Sequence, residues 1–239
     1  MQHVIAAHQN EPALSSFPGL AERLAAVQGG VADAVQLAGR SADEITTIVV
    51  TKFHPASLIE ALAELGVHDI GENRHQEAQA KAQELAALDL RWHFIGQVQG
   101  KKARQVRAYA DVIHAVDRES LVAALASDES VIDAFVQVNL TDDPARGGVS
   151  PDGLIPLVER VLETPGLRLL GLMAVAPLGA APRAAFAQVR ELGERVQQLA
   201  PDATRLSMGM SADYADAVAE GATHLRIGSA ITGNRPRER

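Results

Sequence analysis

The chain has 239 residues, a length that suits one barrel or two modest domains. Its 22 basic and 30 acidic residues leave a formal charge of −8, which excludes a general nucleic-acid binder needing a basic face. There is no cysteine, which excludes disulfides, iron–sulfur clusters and thiol nucleophiles, and aromatics at 3% argue against stacking platforms for single strands.

No stretch approaches the roughly 18 apolar residues of a membrane span, and the N-terminus lacks the pattern of a secretory leader. A cytoplasmic protein with no membrane contact is expected.

In chain order, an amphipathic segment over Leu20–Ala38 precedes the first strand-like run, Ile45–Thr51, which is β-branched enough for a doubly buried strand. Further short runs are expected near His68–Gly71, Trp92–Gly96, Val112–Val116, Ala134–Asn139, Leu167–Val175, Thr204–Met208 and His224–Gly228. Helical periodicity separates them over Ala56–Leu65, Gln76–Leu88, Leu121–Ser127, Leu154–Leu162 and Ala184–Leu199. Pro55 suits a first helical position, Ser211 with Asp213 a helix start, and Gly66 and Gly221 helix ends.

Eight strands, each followed by a helix, predict an α/β fold, a single-domain (β/α)₈ TIM barrel over residues 1–239. A doubly wound open sheet competes, but no GxGxxG or GxxxxGK[ST] phosphate fingerprint supports it. The ends, about 1–18 and 234–239, are expected to be flexible.

Barrel chemistry sits at the C-terminal ends of the strands. Lys52 ends the first. Only four lysines occur beside 18 arginines, and a lysine amine, unlike a guanidinium, can lose its proton and attack a carbonyl. The plain alternative is a strand-end lysine paired with Glu72. The seventh and eighth strands run into Ser207–Ser211 (Ser-Met-Gly-Met-Ser) and Ile227–Ala230 (Ile-Gly-Ser-Ala), small residues where barrels frequently bind phosphate. Ordinary turn chemistry is their alternative. Together, an amine and a phosphate cup imply an aldehyde-bearing phosphate, either pyridoxal 5′-phosphate or a sugar phosphate.

These segments also carry a resemblance. Val49–Lys52, Gly71–Asn73, Trp92–Gly96, Ile113–Asp117, Gln137–Asn139, Gly171–Ala174, Leu206–Ser211 and Arg226–Ile231 occur in one order over nearly the whole chain. In this the chain resembles the pyridoxal-phosphate homeostasis proteins, small barrels similar to the N-terminal domain of alanine racemase.

The resemblance implies that Lys52 forms a Schiff base, the internal aldimine, with pyridoxal 5′-phosphate. It implies that Ser207, Gly209, Gly228 and Ser229 hold the phosphate and that Arg226 faces the pyridine nitrogen. Asn73 is expected to orient ring substituents or close a strand-end hydrogen bond. His93 is expected to line the ring or satisfy a backbone carbonyl.

Departures from the family pattern are Thr51 for a serine, Ser229 for a threonine, and Gln97–Lys102 for a Pro-Leu-Gln-x-Asn-Lys run. The last leaves Lys101 and Lys102 without an assigned role beyond a basic helix face. No metal site is expected: His68 and His75 are read as surface residues, and no HExxH spacing occurs.

The resemblance thus implies a vitamin B6 protein acting in intracellular cofactor homeostasis and amino-acid balance without substantial turnover. Apo-forms of pyridoxal-phosphate enzymes would be its partners, and its state a monomer or weak homodimer. An amino-acid racemase is the alternative, though it would need a second acid/base group, and only 11 residues follow the eighth strand here. A class I aldolase would need a second buried lysine or a carboxylate pair near Lys52. Lys81, in mid-helix, is expected not to serve.

Overall fold

The computed structural model describes residues 13–234. Its strands are β1 Thr46–Val50, β2 Asp69–Glu72, β3 Arg91–Phe94, β4 Val112–Val116, β5 Ile132–Gln137, β6 Leu167–Met173, β7 Arg205–Ser207 and β8 His224–Ile227. Each pairs in parallel with the next, and β8 returns to β1 from Thr46 beside His224 to Val49 beside Ile227. The barrel is therefore closed, and the open-sheet alternative is excluded.

The helices are α1 Leu20–Leu37, α2 Ala56–Glu64, α3 His75–Glu84, α4 Ala103–Arg107, α5 Glu119–Leu125, α6 Leu154–Leu162, α7 Pro182–Gln197, α8 Tyr214–Ala219 and α9 Ser229–Thr232. The apolar spacing of α6 shows why they form: Leu154, Leu157, Val158 and Val161 recur at one face, and all are buried against the sheet. Gly66 and Gly221 follow α2 and α8 with φ of 81° and 91°, the left-handed conformation that ends a helix.

Several boundaries differ from expectation for local reasons. Pro55 is extended and precedes α2 rather than opening it, whereas Pro182 occupies the first turn of α7, two residues before the expected start. Helix α3 stops at Glu84 because Leu85 is the last residue to bury before the chain turns back to β3. Helix α5 runs earlier than expected, and Ser127 instead donates its N–H to Pro165 O. Asp213 precedes α8, but its side chain accepts from Met210 N–H at 2.6 Å rather than capping the helix.

The expected flexible ends fall largely outside the described residues. Where they overlap, the backbone is tied down: Ala13 and Leu14 donate to the Glu64 carboxylate at 3.0 and 3.2 Å.

The main apolar cluster fills the space between sheet and helices. A barrel interior is usually built from branched aliphatics. Here a small cluster of Val112, Ala115, Phe135 and Met173 shares the interior with three histidines, His93, His114 and His224. Among the described residues no helix is long and apolar enough to cross a membrane.

Candidate functional site

Lys52 follows β1 at the rim of the barrel, and both its neighbours are fixed from below. Thr51, fully buried, donates its hydroxyl to Glu72 Oε1 at 2.7 Å, while its carbonyl accepts from Lys81 Nζ at 3.0 Å. Phe53 has a φ of 68°, an uncommon conformation for a bulky residue, and donates its N–H to Glu77 Oε1 at 2.6 Å. Lys81 ties the arrangement together, reaching Glu72 at 2.7 Å and Glu77 at 2.8 Å. Glu72, Glu77 and Lys81 thus form a clamp that orients the turn carrying Lys52.

The clamp corrects two expectations. Glu72 pairs with Lys81 and Thr51, so the Lys52–Glu72 ion pair is not formed. Lys81, expected in mid-helix not to serve as a second buried lysine, does lie within a helix but is buried between two carboxylates. Burial pushes the Glu72 carboxyl upward, against the pull of the Lys81 charge, and its Oε2 is buried without a hydrogen-bond partner.

Lys52 shares a cavity of about 120 Å³ with Val50, Phe53, His54, Gly228, Ser229, Thr232 and Gly233. The end of β8 and the first turn of α9 therefore line the same cavity as Lys52. His54 went unnoticed in the sequence, since an isolated histidine before a proline carries no signal. Burial, followed by the Lys81 charge, lowers its pKa and favours the neutral ring.

Gly209, after β7, has a φ of 92°, and a Cβ there would come within 2.6 Å of the Ala217 side chain, so only glycine fits. Its carbonyl accepts from Arg226 N–H at 3.0 Å, which locks the β7 loop to β8. Arg226 is buried, and its guanidinium donates to Ser207 Oγ at 2.7 Å and to Ala174 O at 2.8 Å. Burial lowers its pKa to about 10, which leaves it cationic at neutral pH.

Ser207 begins a relay through the barrel. Its Oγ lies 2.8 Å from His114 Nδ1, His114 Nε2 lies 3.0 Å from His93 Nδ1, and His93 Nε2 lies 2.8 Å from Asp69 Oδ1. Arg226 can only donate, so Ser207 accepts from it and passes its single proton to His114. Burial lowers the pKa of both histidines, so each is a neutral ring with one N–H. It follows that both carry their proton on Nε2, and that every bond points from Arg226 towards Asp69. Burial is the largest influence on Asp69 and disfavours its charge, but the His93 hydrogen bond and nearby positive charge, Arg91 included, together outweigh it, and the carboxyl lies below its usual range.

Two expected site residues are thereby relocated. Ser207 is fully enclosed, with its hydroxyl committed to Arg226 and His114, so it faces the interior rather than the rim. His93 meets neither a ring site nor a backbone carbonyl but Asp69 and His114, towards the N-terminal end of the strands. Asn73 is exposed, its backbone pressed against Gly96 in the β2–α3 loop. His75, expected at the surface, is half-buried and stacks on Tyr109 with ring centroids 5.9 Å apart. Despite the histidines, no group of three or more His, Asp and Glu side chains among the described residues is disposed to hold a metal.

Comparison with known proteins accords with this architecture. Residues 31–236 match the family model described as alanine racemase, N-terminal domain. The pyridoxal phosphate homeostasis protein of Corynebacterium glutamicum is 39% identical over 210 residues, 82% of this chain and 93% of that one. PipY of Synechococcus elongatus, whose structure was solved with and without PLP, superposes with a TM-score of 0.77 at 37% identity, covering 90% of this chain and 100% of that one. An unknown protein from Bifidobacterium adolescentis superposes with a TM-score of 0.84 at 27% identity, over 95% of this chain and 98% of that one. The chain belongs to the alanine racemase N-terminal-domain family and, within it, to the pyridoxal phosphate homeostasis proteins.

Proposed function

We propose that this protein holds pyridoxal 5′-phosphate on Lys52 and serves intracellular balance of the cofactor and of amino acids, without substantial turnover of its own. Apo-forms of pyridoxal-phosphate enzymes are the partners this reading implies, in the cytoplasm, with the protein acting as a monomer or weak homodimer. The carrying observation is the placement of the Lys52 amine across one cavity from Gly228 and Ser229. PipY, 37% identical, has been solved with PLP bound.

The residues present fit the cofactor. The clamp orients the turn that carries Lys52, Gly228 lets the backbone approach a phosphate, and Ser229 adds an exposed hydroxyl. When bound, the cofactor supplies an aldehyde for that amine and an electron-withdrawing ring. Arg226 is the cation set against the ring nitrogen in this reading. A guanidinium donates hydrogen bonds but cannot share a proton as a carboxyl does, so it leaves electron withdrawal weak.

A racemase is the second reading, and His54 is the observation that favours it, as a titratable ring lining the Lys52 cavity. Incubation of the loaded protein with L- and D-amino acids in deuterated water separates the two. Negligible exchange at the α-carbon supports the carrier, and exchange at about 1–10³ s⁻¹ supports the racemase.

A further inference from the structure

A larger cavity, about 440 Å³, opens beside the Lys52 turn at the C-terminal ends of β2 and β3. Its volume falls in the range of small-molecule sites. Two cations line it, Arg74 and Lys102, in a protein that is acidic overall. Neither has a carboxylate within ion-pair distance among the described residues. Arg74 lies over the Phe53 ring at 4.6 Å, and the Lys102 ammonium donates to the Gln105 amide oxygen at 3.1 Å. Arg168 and Arg190, by contrast, are paired with Asp133 and Glu194.

Beside neutral polar groups such as His75 and Gln97, the lining has three chemistries. Arg74 and Lys102 offer positive charge, and the largely buried Phe94 and Val98 supply an apolar wall. Glu77 is the single carboxylate of the lining, and it converges with Arg74 on Phe53, whose N–H it accepts. A phosphate would be repelled by Glu77 and gain nothing from the apolar wall. A zwitterion with an apolar side chain uses all three. The Phe53 ring that Arg74 lies over also lines the Lys52 cavity, with Lys52 Nζ 6.0 Å from its centroid.

We infer that this cavity is a binding site for a free amino acid, whose carboxylate is held by Arg74 and Lys102, whose ammonium faces Glu77, and whose side chain rests on Phe94 and Val98. The site is separate from the amine of Lys52 and does not depend on what Lys52 holds. It would place an amino-acid ligand against the strained turn that carries that lysine, so occupancy can be felt there.

Calorimetric titration of the Lys52→Ala protein tests this without amine exchange at the lysine. The probes are L-methionine, L-methioninamide, the 2-oxo acid of methionine and inorganic phosphate. L-Methionine is expected to bind, with affinity about ten- to a hundredfold weaker in the Arg74→Gln/Lys102→Gln protein, which loses the charge-assisted contacts. Methioninamide and the 2-oxo acid, each missing one charge, should also bind more weakly. Arg74 is exposed and Lys102 only half-buried, so circular dichroism should be unchanged. Absence of methionine binding, retention of full affinity in the double variant, or phosphate binding as well as methionine would each overturn the inference. Binding seen only when Lys52 is present would assign the ligand to the lysine instead and overturn it too.

Discussion

Lys81 Nζ lies 2.7 Å from Glu72 Oε1 in a buried pair, and the same ammonium caps the carbonyl of Thr51, the residue before Lys52. A buried pair of this kind orders its surroundings more than it stabilises the fold, but removing one partner strands the other charge. Lys81→Met should therefore lower the unfolding free energy by about 3–5 kcal/mol. Adding Glu72→Gln should recover part of that loss, since the stranded carboxylate is gone. Urea melts of both variants measure this, and a single-variant loss below about 1 kcal/mol would mean that the pair is effectively hydrated.

The relay predicts histidine tautomers directly. Nitrogen-15 spectra should show His93 and His114 as neutral Nε2–H rings that do not titrate near pH 6.5. Either ring protonated on Nδ1 would reverse the direction of the bonds deduced from Arg226.

The same histidines make stability pH-dependent. Burial lowers the folded-state pKa of His93, His114 and His224, the last to about 3, whereas the unfolded chain titrates near 6.5. The unfolded state therefore binds more protons below that pH. Stability is fully present above about pH 6.5 and falls as pH drops towards the folded-state values, by about 1.4 kcal/mol per pH unit for each ring. Denaturation midpoints between pH 8 and pH 5 check the sign, and His224→Phe should flatten the slope.

Ser207 and Ser229 should separate cleanly. Ser207→Ala leaves an Arg226 N–H and His114 Nδ1 without partners and should cost about 1–3 kcal/mol of stability. It should leave the preference for pyridoxal 5′-phosphate over pyridoxal unchanged. Ser229→Ala should do the opposite, weakening the phosphorylated form about tenfold with little effect on stability. Competition binding of the two vitamers with each variant decides.

Covalent attachment is checked by borohydride reduction and peptide mapping. The reduced adduct is expected on Lys52, and an adduct on Lys81, Lys101 or Lys102 would falsify the assignment. Lys52→Ala should remove the visible absorption band and leave the fold intact, because a rim side chain contributes little burial.

The order of strands and helices was legible because both periodicities are local: β-branched runs such as Thr46–Val50 and the apolar face of α6 report their own burial. Lys52 and the Gly228–Ser229 turn were legible because strand order in a barrel assigns strand ends to one face. Tertiary structure alone decided what the polar side chains of the interior meet. The partners of Ser207, His93 and Lys81 lie 93, 24 and 9 residues away in the cases of His114, Asp69 and Glu72. Those pairings depend on strand register and tilt around the closed barrel, which no local pattern encodes. Burial then sets the charge of each group, because the cost of desolvation depends on the completed enclosure and not on the neighbouring sequence.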